Sequence, residues 1–257
     1  AKRQTLMRIA ATILFNEMRR IWMQPLVWIV LGLTFIVIAL LFLVLLNNFY
    51  LDIQVKFAGN DNAPGVTDSV FHPMLFWSSI IGALMMPIFT LRIVTEEKIR
   101  RQDILLTSAP IKCTTIITTK LLAIVSVAAA FALLNLIFPL TMSTIVNLDW
   151  GKIAAGIIGM LLFQASYAAI CVWIATLTQN IMFTLLSCLG MFLLSFILFY
   201  SATSKESASN LFLYISSFSH LLSPLSGLIT STDIFYFIIV ILLFSTLSII
   251  HLRFKRD

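Results

Sequence analysis

Long uncharged apolar runs alternate along the chain with short polar intervals, and the lengths of the runs set its architecture. Crossing ~30 Å of hydrocarbon at 1.5 Å per residue takes ~20 residues. Residues 26–46, 74–94, 121–146 and 234–252 each supply such a run, the second with Arg92 near its end, where it can snorkel to the interface. A further run from 153 to 204 carries no charge and is far too long for one crossing. Its polar cluster, Thr176, Thr178, Gln179 and Asn180, divides it into spans over 153–175 and 181–200 joined by a tight turn. The pattern predicts an all-α membrane protein with six transmembrane helices. Pro25 opens the first span, and Pro87 should kink the second by removing a backbone hydrogen bond. The fourth carries Ala154, Ala155, Gly156, Gly159, Ala165, Ser166, Ala168 and Ala169. Small residues let helices approach closely where lipid supplies no hydrophobic drive, so this span is expected inside the bundle.

Four polar intervals frame the spans. Over 2–24, Met7, Ala11, Leu14, Met18, Ile21 and Trp22 recur at helical spacing, with Thr5, Arg8, Thr12, Asn16 and Arg19 on the opposite face and Arg20 at its edge. That is the pattern of a basic amphipathic helix lying in the membrane interface. Residues 47–73 read as a solvated outer loop, with room for a short helix, that carries Asp52, Asp61 and Asp68, whose spacing does not fit an EF-hand. Residues 201–233 are rich in serine yet too apolar for a free loop, so an interfacial or re-entrant segment is expected. The interval 95–120 gathers Glu96, Glu97, Lys98, Arg100, Arg101, Asp103, Lys112 and Lys120 around an apolar patch, Ile104, Leu105 and Leu106, followed by Ser108 and Pro110. A charge at mid-membrane costs at least ~2.5–3.5 kcal/mol, so this interval leaves the bilayer. Three exposed aliphatics need a cover: either the protein's own lipid-facing surface or another protein.

Composition narrows the class. The 257 residues are 60% hydrophobic and only 11% charged, far below the quarter typical of soluble domains. Little is left within them for an internal nucleotide-hydrolysing module. The net charge of +6 would suit nucleic acid, but the bases cluster at span ends, where they set orientation and meet anionic lipid. Five lie in the N-terminal arm (Lys2, Arg3, Arg8, Arg19, Arg20), and six in or beside the central interval (Arg92, Lys98, Arg100, Arg101, Lys112, Lys120). Three more lie in the tail (Arg253, Lys255, Arg256), leaving Lys56, Lys152 and Lys205 for the other side. The positive-inside rule then puts both ends and the 95–120 interval in the cytoplasm. The long amphipathic N-terminal region containing Glu17 is not that of a cleavable signal.

Chemistry-bearing motifs are scarce. No Walker A, HExxH or GxSxG occurs, so no catalytic site is expected. Cys113, Cys171 and Cys188 have no metal spacing, and Cys171 and Cys188 read as small core residues. His72, His220 and His251 fall at different span ends and read as interfacial. No span carries a mid-membrane carboxylate, lysine or arginine of the kind ion-coupled carriers use, which favours an outside energy source. Among the polar residues inside spans, Asn135 and Gln164 are the candidates for substrate contact.

The central interval and the six-span layout resemble the membrane permease subunits of ABC-2 type ATP-binding-cassette transporters, in particular the short bacterial permeases of the gliding-motility and nitrous-oxide-reductase-maturation type. The resemblance rests on Glu96-Glu97-Lys98, Leu105-Leu106 and Ser108-Ala109-Pro110-Ile111 in order, and on Lys120 before the third span. Thr178-Gln179-Asn180 and Ser223-Pro224-Leu225 are also similar. Arg101 replaces the family's usual glycine, and Ile104 the glutamate before its leucines, an altered docking surface suited to its own partner. The resemblance implies a type V exporter-like permease fold with an N-terminal interfacial elbow helix, in the bacterial inner membrane. It also implies pairing with a second permease copy or a homologous permease, and with two copies of a separate ATPase that carry the ATP and Mg. The 95–120 segment would then be the coupling helix, with Ile104, Leu105 and Leu106 filling a groove on the ATPase. Glu96, Glu97, Arg100, Arg101 and Asp103 would form its charged rim, and Gln179 a lesser contact. A membrane anchor for an ATPase in an assembly or motility machine, moving no solute, is the competing expectation.

Overall fold

The computed structural model describes residues 2–53, 65–99, 112–204 and 214–256. Arg100, Arg101, Asp103, Ile104, Leu105, Leu106, Ser108 and Pro110 lie outside the described residues, as do residues 54–64 of the 47–73 loop and residues 205–213. Among the described residues the chain is helical and contains no strand. Helix α1 (Lys2–Trp22) precedes five helices that are long and apolar enough to cross a membrane: α2 (Pro25–Leu51), α3 (Thr67–Ile99), α4 (Cys113–Met142), α5 (Trp150–Leu177) and α6 (Ile181–Ser201). A short helix, α7 (Ser217–Leu225), comes before the sixth, α8 (Ser231–Phe254). Six such helices describe a multi-pass membrane protein.

Two helices outrun the apolar stretches that announce them. α4 starts at Cys113, eight residues before the expected span. The segment CTTIITTK is polar in composition, but its threonines bond back along the helix. Thr118 donates to the Thr114 carbonyl and Thr119 to that of Thr115, both at 2.8 Å, so their hydroxyls cost the helix little. α3 begins at Thr67 inside the expected loop, because Val70 and Phe71 are fully buried. It is continuous past Pro87 and widens to π-type winding over Leu91–Thr95, where the Glu96 amide reaches the Leu91 carbonyl five residues back. α4 breaks at Leu136. Pro139 cannot donate to the Asn135 carbonyl four residues earlier, which accounts for the break.

α5 is the centre of the bundle, packed on α3, α4, α6, α7 and α8. Its small residues make this possible: Ala155, Gly156, Gly159, Ala165, Ser166, Ala168 and Ala169 are buried, while Ala154 faces outward. α2, α6 and α8 form the rim and keep most of their apolar surface outward, as lipid-facing helices do. Cys171 and Cys188 are fully buried core residues.

α7 lies across α5 at the end of the bundle where Lys152 sits. Phe218 is wholly buried among Phe163, Phe192, Phe196 and Phe199. Backbone follows side chain: a Cβ on Gly159 would come within 2.5 Å of Pro224 Cβ, so only glycine admits the α7 turn at this depth. Gly190 on α6 has open space around it. Gly159→Ile is therefore expected to cost ~1–3 kcal/mol through overpacking, with a lower melting temperature in detergent. Gly190→Ile should leave that temperature unchanged, and equal effects of the two would count against α7 as a packed element.

Candidate functional site

The chemistry of this chain is concentrated where α1, the end of α3 and the start of α4 meet. α1 is amphipathic as its spacing predicts, with Ile21 buried and Arg19 exposed. Its inner face also carries Glu17, one turn from Ile21 and buried. Glu97 on α3, expected on a charged rim, is 3% exposed and points into the protein. One of its carboxylate oxygens accepts from Arg20 Nη1 of α1 and the other from Lys120 Nζ of α4. Lys120 Nζ also donates to the Ile93 carbonyl at 3.0 Å, within the π-type winding, and lies 3.8 Å from Glu17 Oε1. Glu97 thus joins three helices through two charge-assisted bonds. Trp22 Nε1 adds a bond to Ser126 Oγ of α4 at 3.2 Å.

Lys98 turns the other way. Its buried Nζ donates to the carbonyls of Ala175 (2.8 Å) and Thr176 (2.5 Å), at the C-terminal end of α5. Those carbonyls lack intrahelical partners, and the negative end of the helix dipole favours a cation there. The turn 178–180 follows directly. Thr178 is extended, Thr178 Oγ1 meets Thr184 Oγ1 at 2.6 Å, and Asn180 Oδ1 accepts from the Met182 amide at 3.0 Å. Gln179 stands exposed on this turn. The last described residues before the 100–111 segment and the 178–180 turn are thereby brought side by side. Glu96 lies at the edge of this region, paired with Arg92 at 2.6 Å.

Asn135 and Gln164, the substrate-contact candidates, are both buried within the bundle and differ in their bonding. Asn135 Oδ1 accepts from Ser78 Oγ at 2.7 Å, and its Nδ2 donates to the Phe131 carbonyl at 2.8 Å. Neither amide atom of Gln164 has a partner among the described residues. Its amide lies over Gly82, where any Cβ would collide with it.

At the opposite end, His220 on α7 places Nδ1 2.7 Å from Asp233 Oδ1 and Nε2 3.2 Å from the Tyr214 carbonyl, with the Tyr236 ring stacked at 4.1 Å. Asp233 also accepts from Thr230, and Lys152 pairs with Asp68 at 2.8 Å. Among the described residues no group of three or more His, Cys, Asp or Glu is arranged to hold a metal ion. His72 stands apart from His220, at the start of the regular α-helical part of α3.

The Glu17–Arg20–Glu97–Lys120 cluster and the His220–Asp233 pair are absent from the sequence reading. Glu17 left a trace: one acid on the apolar side of a basic helix, near Leu14, Met18 and Ile21. His220 and Asp233 left none, since they sit on different helices and only the α7 turn brings them together. No protein-family model matches the chain, and no curated protein matches it.

The cluster yields opposite expectations for its two acids. Glu97→Gln strands the buried Lys120 ammonium and frees the half-exposed Arg20, and should cost up to ~3–5 kcal/mol, read as a lower melting temperature in detergent. Burial holds the Glu17 carboxyl above its ordinary value of 4.5, against the pull of Lys120. The folded protein then keeps that proton to higher pH than the unfolded chain does. The resulting stabilisation is complete below the ordinary value and is lost as pH rises through the raised one. Glu17→Gln should melt progressively higher relative to the unmodified chain as pH rises from 4.5 towards neutrality. A difference independent of pH would refute this account of Glu17.

Proposed function

We propose that the chain is the membrane-spanning permease subunit of an ATP-binding-cassette transporter of the ABC-2 type, driven by a separate ATPase. In this reading it sits in a bacterial cytoplasmic membrane with both ends in the cytoplasm. It pairs with a second permease, and each permease binds one ATPase. Substrate movement, by analogy export, follows closure of the two ATPases on ATP and Mg. The chain itself hydrolyses nothing.

The observation that supports the reading best is the Lys98 tie. A partner ATPase must grip a surface connected to the bundle, and Lys98 anchors the end of α3 to the end of α5, beside Gln179. A push on the 100–111 segment would reach α5 through Lys98, α1 and α4 through Glu97, and the rest of α3 through its own backbone. Two-state elements transmit force in this way when they move as packed units. Glu97 then serves as an internal strut, with the docking surface left to Glu96, Gln179 and residues 100–110, and Ile104, Leu105 and Leu106 supplying the apolar anchor.

The anchor reading, an ATPase held at the membrane without solute movement, draws support from Asn135, whose amide is spent inside the bundle on Ser78 and Phe131. A cysteine at Gln164 separates the two readings. Reaction with a small water-soluble thiosulfonate in one nucleotide state of the assembled complex favours transport, and inertness in both favours the anchor.

Two measurements test the main reading. With Cys113, Cys171 and Cys188 replaced by alanine, Gln179→Cys should react with a membrane-impermeant maleimide in inside-out vesicles and not in right-side-out ones. Leu105→Asp should leave membrane insertion intact while abolishing co-purification of an ATPase with the tagged chain and the stimulation of its hydrolysis. Labelling from the outside, or retention of a stimulated ATPase by Leu105→Asp, would overturn the assignment.

A further inference from the structure

Where α1 ends and α2 begins, the surface opens into a cleft lined by Arg20, Gln24, Pro25, Leu26, Arg92 and Glu96. Its floor is polar and its α2 wall apolar. Each guanidinium pledges only Nη1 to a carboxylate, Arg20 to Glu97 and Arg92 to Glu96. The side chains stay 34% and 39% exposed. With five donors in a planar fork, arginine can hold a carboxylate and a phosphate at once. α2 also starts at Pro25 without a side-chain cap, so the positive end of its dipole adds to the field.

The depth of the cleft identifies its occupant. It lies at the bend between α1, where Arg19 faces outward, and the first turn of a spanning helix. Trp22 and Trp28 pack edge to face at 5.5 Å beside it, and Trp28 Nε1 donates to the Trp22 carbonyl at 2.9 Å. Indoles concentrate at the headgroup level of bilayers. Just below, Trp28 and Ile29 expose most of their surface on the face of α2 that meets lipid. The geometry points to a binding site for the phosphodiester headgroup of an anionic phospholipid, gripped by Arg20 and Arg92, with its glycerol and acyl chains running down α2 past Pro25 and Leu26. The unspent donors of two guanidiniums suit a phosphodiester, and the apolar residues of α2 in the lining suit a lipid better than a free phosphate. The site depends on the membrane placement of α2 and not on any ATPase partner.

Native mass spectrometry of the full chain in a maltoside detergent tests this, titrated with dioleoyl-phosphatidylglycerol, dioleoyl-phosphatidylcholine or inorganic phosphate. One saturable phosphatidylglycerol adduct per chain is expected, at least about tenfold tighter than phosphatidylcholine, given that bonds to charged groups contribute ~1.5–3 kcal/mol. Inorganic phosphate should not displace it. Arg92 lies outside the Glu97 cluster, so Arg92→Gln should keep the native melting temperature while losing about that tenfold preference. Arg92→Lys, which keeps the charge and loses the fork, should fall between, and Arg253→Gln, a base at the same end of the bundle, should bind normally. Equal binding of the two lipids, or full binding by Arg92→Gln, would overturn the site. Displacement by inorganic phosphate would overturn the lipid assignment. Both the lipid preference and the phosphate competition are read on the unmodified chain, so they decide the matter even if the Arg92 variants fail to fold.

Discussion

A carboxylate removed from water must be neutralised where it lies, and Glu97 meets that requirement by taking one cation from α1 and another from α4. The two bonds form together only when all three helices are in register. The same constraint explains why Lys120 can sit inside a helix whose other end crosses the membrane. Its ammonium is shared by Glu97 and the Ile93 carbonyl, so the protein supplies what water would otherwise provide. Isolated buried pairs are poor sources of net stability, yet the loss of one partner is strongly destabilising because it leaves an uncompensated charge. Here the cluster fixes how α1 meets the bundle.

The two ends of the molecule are built on different physics. At the Arg20 end the ties are ionic and join helices far apart in sequence, through Glu97 and Lys98. At the Lys152 end the main tie is steric. Glycines on α5 admit α7, Phe218 fills an aromatic pocket, and His220 with Asp233 holds α7 to the first turn of α8. α5 runs between these ends and touches most of the other spanning helices, so a displacement at either end has a packed route to the other. This is the mechanical property that a permease coupled to an external motor requires, and the proposed function draws on it. The lipid cleft sits beside the ionic end, where a bound phosphodiester would add a fourth body to the α1–α2–α3 junction.

The α3 backbone deserves the same physical reading. Pro87 removes one donor in mid-helix, and the winding loosens to π type a turn later, where Lys120 takes the Ile93 carbonyl. Such local widening frees carbonyls for side-chain donors. Proline, loosened winding and buried ion pairs therefore fall on one short stretch of one helix, between the bundle core and the segment proposed to meet the ATPase.

Hydropathy and length determined the number of long apolar helices and the turn at 178–180, because a bilayer penalises every charge and rewards every apolar run of sufficient length, and the small residues of the fourth span determined its interior position. The amphipathic face of α1 was also readable, since helical spacing is a local property. Helix starts at Thr67 and Cys113 were not, because buried Val70 and Phe71 and back-bonded threonines override a polar composition. What only tertiary structure decided is which charges are paired. Glu97 looks like a surface acid among surface acids until Arg20 and Lys120, far from it in the chain, are seen at its two oxygens. His220 and Asp233 likewise become partners only when α7 folds back over α5. Electrostatic pairing depends on distances in space, and a linear pattern carries no record of those beyond one or two helical turns.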